Sequence, residues 1–106
     1  MIRTQGKAHI SIQILDGMKP VDHPWNKDGG EVVNISESII PDRLARVRYA
    51  VGMTLNLGDY QSARVDVGIE LPADVDKTDE VYEQAVEFCN DRLMEEVENL
   101  YQLKKK

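Results

Sequence analysis

The sequence predicts an α+β fold: a small antiparallel sheet of three to five strands, dominated by a long hairpin over residues 46–71, with one long C-terminal helix packed on one face. Apolar and other residues alternate along 47–57 and again along 63–71, the period of half-buried strands. A Gly58-Asp59-Tyr60 break divides the two runs, as a hairpin turn would. From Thr78 onward the apolar spacing lengthens to that of an amphipathic helix.

Taken in order, Ala8 to Leu15 opens the sheet. Ile10, Ile12 and Ile14 point one way, while His9, Ser11 and Gln13 point the other. Residues 16–30 hold two prolines and three glycines, which read as a long loop. Glu31 to Ser36 fits a second short strand with Val33 and Ile35 on one face. Between Ser36 and Ala45, Pro41 forbids a continuous helix but allows a turn to start after it.

The hairpin follows. Matching apolar faces requires odd residues opposite odd residues, so a three- or five-residue loop suits it better than a two-residue loop. The shortest such loop sets Arg48 opposite Glu70 and Thr54 opposite Arg64. Pro72 is expected to stop the second strand.

The helix is expected over 78–103, capped by the Thr78 hydroxyl, with Asp79 and Glu80 at its positive end and Lys104, Lys105 and Lys106 at its negative end. Tyr82, Ala85, Val86, Cys89, Leu93, Val97 and Leu100 form the apolar stripe. Glu83, Glu87, Asp91, Glu95 and Glu98 lie off it. A helix near 37 Å long, at about 1.5 Å per residue, is expected to outrun the hairpin.

The 106 residues suit one domain, 1–106, with an ordinary balance of 42% hydrophobic and 30% charged residues. Cys89 is the single cysteine, so an internal disulfide is excluded. Met1 to Lys7 precedes no long apolar run and does not read as a signal peptide. No stretch approaches the roughly 18 apolar residues of a membrane span, and the expected location is the cytoplasm. Residues 1–69 balance eight acids with eight bases. Residues 70–103 carry eleven acids against Lys77 and Arg92, which argues against that segment lying on nucleic acid.

Catalytic, cofactor and metal sites are all expected to be absent. His9 and His23 sit in no metal-ligand spacing, and one cysteine with two scattered histidines makes no zinc site. Asn26 to Glu31 lacks the acid–glycine–acid order of a calcium loop. Gly29-Gly30, Gly52, Gly58 and Gly68 match no phosphate-binding fingerprint. Cys89 falls on the apolar stripe, as a buried inert thiol does.

Binding is the remaining class. Trp25, the single tryptophan, either folds back over the core or anchors a partner. The acidic row Glu83, Glu87, Asp91, Glu95 and Glu98 is either a solvated surface or a mimic of nucleic-acid phosphates. Arg46, Arg48 and Arg64 share the non-core face of the hairpin and offer an alternative, nucleic-acid-binding surface. That face lacks stacking aromatics, and Asp66 and Glu70 offset its charge. Gly52 and Gly68, with Ala50, leave its centre poor in side chains, by a bulge or by the close approach of a partner.

The run Thr54-Leu55-Asn56-Leu57-Gly58-Asp59-Tyr60-Gln61-Ser62, continuing through Ala63-Arg64-Val65-Asp66-Val67-Gly68, resembles small uncharacterised proteins of bacteriophages and prophages. Their pattern is Asn-Leu-Gly-x-Tyr-x-Ser, then alternating valines and a closing acidic helix. The resemblance spans roughly residues 46–100 and carries no activity or site residues with it. It implies a phage or mobile-element setting, and so the cytoplasm of a host cell.

The expected function is therefore a non-enzymatic protein-interaction module that binds or inhibits a host or defence protein. The alternative is a nucleic-acid-binding accessory protein of phage replication or recombination that uses the arginine face. A homodimer is compatible with either.

Overall fold

The computed structural model of the chain describes residues 5–34, 39 and 41–104. Its elements are β1 (Gln5–Asp16), β2 (Lys19–Pro20), β3 (Lys27–Asn34), a 3-10 turn (Pro41–Arg43), β4 (Leu44–Gly58), β5 (Gln61–Asp74), a second 3-10 turn (Val75–Lys77) and α1 (Thr78–Lys104). All pairings in the sheet are antiparallel. β5 lies between β4 and β1. The other side of β1 takes β3 over most of its length and β2 at its end. α1 packs across one face, over β4 and β5.

The hairpin register follows from burying one face of each strand. Arg48 lies opposite Glu70, Thr54 opposite Arg64, and Leu55 opposite Ala63, as the alternation predicts. The turn itself is tighter than expected. Asp59 and Tyr60, both at positive φ, form a two-residue tip. A register shift between Asn56 and Gly58 absorbs the extra residue and restores odd-to-odd pairing.

The core is the layer between sheet and helix. Ile14, Ala63, Val65 and Val67 from the strands meet Val81, Ala85, Cys89 and Leu100 from α1, all nearly fully buried. Burying a Val or Ile side chain contributes about 1.5–3 kcal/mol, so this single layer supplies the main apolar stabilisation.

Several expectations need correction. The loop over 16–30 is partly sheet: Lys19–Pro20 pairs with the end of β1 and β3 begins at Lys27, while residues 21–26 stay irregular. Gly29 and Gly30 are tolerated inside β3 because it is a solvent-exposed edge with little side-chain packing to lose. Ile35 and Ser36, in the expected second strand, lie outside the described residues, as do Lys105 and Lys106. Pro72 does not end β5, which runs to Asp74. Among the described residues, pairing with β1 stops at Glu70, so no described β1 residue needs a hydrogen bond from Pro72.

The helix keeps the expected phase at Ala85, Cys89, Leu93, Val97 and Leu100, and differs at the start of the stripe. Val81, not Tyr82, starts the buried stripe, and Glu96 joins it. Tyr82 stands at the edge, 45% exposed, with its ring perpendicular to Tyr49 at 5.8 Å. Val86 is half-buried. Ahead of the helix, Asp74 caps the 3-10 turn by accepting from the Asp76 amide at 3.0 Å. Nor does the helix outrun the sheet. Its 27 residues span about 40 Å, against about 50 Å for the 15 residues of β4. Leu100, in the penultimate turn, is still buried.

Candidate interaction surfaces

The helix offers the first surface. Because Val81, Ala85, Cys89 and Leu93 recur every four residues on the core side, residues two positions further on face away from the sheet. Glu83, Glu87, Asp91 and Glu95 hold those positions, and Glu98 extends them; all five are exposed. Arg92 reaches Glu95 at 3.4 Å. Among the described residues, Glu83, Glu87, Asp91 and Glu98 have no ion-pair partner. Four carboxylates thus line one side of the helix, the first three at intervals of about 6 Å along its axis and Glu98 about 10 Å further on.

Two other charges on α1 turn inward. Glu96, only 6% exposed, accepts from the Lys27 ammonium at 3.0 Å. Arg92 pairs with Glu31, and its guanidinium lies 5.8 Å from the centre of the Phe88 ring. The hydrogen bond from Arg92 to Glu31 raises the arginine pKa further above its usual value. β3 is thereby fastened to the helix by two ion pairs of opposite polarity. Sequence reading missed both. The signal was present: Glu96 is the carboxylate in phase with Cys89, Leu93 and Leu100, and Lys27 and Glu31 share one face of a strand.

The open face of the sheet is the second surface. Arg46, Arg48 and Arg64 share this face, Arg64 six residues along the hairpin from Arg48, and each is engaged. Arg46 donates to Glu70 at 2.5 Å and Arg48 lies 3.1 Å from its other oxygen. The Arg46 hydrogen bond is the main cause that holds the Glu70 carboxyl below its ordinary pKa. Arg64 grips Asp66 at 2.9 Å along its own strand. Between these clusters Ala50 and Gly68 floor a shallow depression of about 540 Å³ lined also by Lys7, His9, Arg48 and Glu70. No register shift occurs at Gly52 or Gly68, so neither marks a bulge. A Cβ on Gly52 would strike Asp66 and Arg64 and come within 3.0 Å of the Val65 carbonyl oxygen; one on Gly68 meets Ala50 at an ordinary 3.7 Å.

Trp25 takes the first of its two readings. It is half-buried and packs on the core, with His23 edge-on at 5.0 Å. The His23 ring accepts from the Trp25 amide at 3.1 Å, making it a turn residue. Asn26 fixes the segment to β1: its Oδ1 accepts from the Ile14 amide at 2.8 Å and its Nδ2 donates to the Val21 carbonyl at 2.9 Å.

No group of three potential metal ligands comes together among the described residues, and no described helix is long and apolar enough to cross a membrane. Cys89 is buried beneath β4, where its thiol approaches the Tyr49 carbonyl at 3.8 Å, and burial pushes its pKa up. A thiolate nucleophile requires the opposite shift.

Comparison with protein-family models, with curated proteins and with solved structures returns no match.

Proposed function

We propose that this chain is a non-enzymatic protein-interaction module whose acidic helix side docks on a basic surface of a partner protein. The observation that supports this reading is the row Glu83, Glu87, Asp91 and Glu98: exposed, on one side of a helix anchored by its opposite side, and without ion-pair partners among the described residues. A row of uncompensated carboxylates attracts cationic clefts, including those that hold nucleic-acid phosphates. The resemblance of residues 46–100 to bacteriophage proteins supports a host or defence protein as that partner. Binding to nucleic acid has less support, because Arg46, Arg48 and Arg64 are occupied by Glu70 and Asp66.

The test compares the wild-type chain with a variant carrying Glu83→Gln, Glu87→Gln, Asp91→Asn and Glu98→Gln, both immobilised and exposed to bacterial extract. A protein retained by the wild type, released by salt and lost from the folded variant supports the reading. Identical retention by both rejects it. Tight, salt-sensitive binding of labelled DNA or RNA to the pure chain, abolished by changing the three arginines, overturns it in favour of the alternative.

A further inference from the structure

The two edges of the sheet are built differently. Strand edges expose unpaired backbone N–H and C=O groups, and folded proteins blunt them with prolines, lysines, bulges or charges turned inward. The β3 edge has such devices: two glycines, and Lys27 and Glu31 directed to the helix side and tied to Glu96 and Arg92. The β4 edge has almost none. Its 15 residues contain no proline and no lysine, and its register shift lies at the tip, between Asn56 and Gly58.

The apolar residues of β4 carry the same message. Val65, Val67 and Ile69 of β5 are at most 5% exposed. Their partners Met53, Val51 and Tyr49 remain half-buried. Tyr82 of α1 overhangs the same margin, against Tyr49.

We propose that β4 is a pairing edge whose occupant is a second copy of this chain, added antiparallel about a two-fold axis through Val51. Val51 is the midpoint of β4, so this register uses the whole strand. Helix-side residues then meet helix-side residues: Val47 faces the partner copy's Leu55, and Tyr49 faces its Met53. On the open face Arg48 meets Thr54 and Arg46 meets Asn56, so no like charges are opposed. Shifting the axis to Val47 sets Arg46 against Arg48. The axis at Val51 continues the sheet across both copies and lays the two helices side by side, covering Tyr82. An isologous contact of this kind closes on itself as a dimer.

The test is sedimentation of the full chain over a wide concentration range, with helix content followed by circular dichroism. A monomer–dimer equilibrium is expected. Thr54 is exposed but lies opposite Arg64 in its own chain, so Thr54→Lys costs the monomer some stability, which circular dichroism checks, while also setting lysine against Arg48 twice per dimer; where the variant is folded it should weaken dimerisation by about 5-fold or more. Thr54→Glu should tighten it by a similar factor, and Val51→Lys, which opposes two charges at the axis, should abolish it. A wild-type chain that stays monomeric at millimolar concentration overturns the proposal. So does a dimer that responds equally to both Thr54 substitutions.

Discussion

Lys27, the first residue of β3, donates to Glu96 on α1 at 3.0 Å, and the two ends of this ion pair are unequally buried: the lysine side chain is half exposed and the carboxylate is 7% exposed. The pair holds an edge strand to a helix 69 residues further along the chain.

That inequality sets the effect of breaking the pair. Lys27→Met leaves a buried carboxylate without its partner and should cost about 2 kcal/mol. Glu96→Gln leaves a lysine that can turn to water and keeps an amide in place of the carboxylate, so it should cost about 1 kcal/mol or less. Urea denaturation of the two variants measures the difference. Equal losses would mean that the carboxylate is solvated in the folded state.

At the hairpin tip, Tyr60 has φ 65° and is 91% exposed, so its side chain gains nothing from a conformation that disfavours it. Left-handed backbone costs a residue with a Cβ about 1–2 kcal/mol, and a two-residue hairpin turn favours Asp-Gly. Tyr60→Gly should therefore stabilise the chain by about 1 kcal/mol, read as a higher Tm. A lower Tm would assign Tyr60 a packing role.

The two glycines on the open face should respond oppositely to alanine. Gly68→Ala has room and replaces a flexible residue, so it should be neutral or stabilise by up to about 1 kcal/mol. Gly52→Ala must displace the Arg64–Asp66 pair and crowds the Val65 carbonyl, so it should destabilise. Thermal denaturation of both variants checks the signs.

Acid should act partly through Glu70. Its folded pKa lies below the ordinary 4.5, so its stabilising effect is complete above that value and is lost as pH falls through the folded pKa. Glu70→Gln should remove this part of the acid sensitivity, flattening the stability profile below about pH 4.5 while leaving the neutral range parallel to wild type. Stability measured at a series of pH values distinguishes the two. A variant profile as steep as that of the wild type would mean that other carboxyls govern acid unfolding.

The hairpin and helix were legible in the sequence because a single buried face imposes its period on every strand and helix position. Val47 to Leu57 and Ala63 to Leu71 carry that period openly. β3 was half hidden because an edge strand needs no strong pattern, and Lys27, Gly29 and Gly30 read as loop. Only the first member of the helix stripe was misplaced, because Tyr82 looks more apolar than its place at the margin demands. The acidic row was legible as a surface, whereas the inward charges Glu96 and Arg92 were not. Their partners, Lys27 and Glu31, become neighbours only after the sheet has formed.

The placement of β5 between β4 and β1 also bears on how fast the chain can fold. β4, β5 and α1 are consecutive and meet through short connections, whereas the β1 seam joins Lys7 to Glu70 across most of the chain. Closing so large a loop costs entropy before its contacts repay it. The rate-limiting assembly is therefore expected within residues 44–104, with β1 and β3 added afterwards. Val97→Ala should then mainly slow refolding, and Ile12→Val should mainly hasten unfolding.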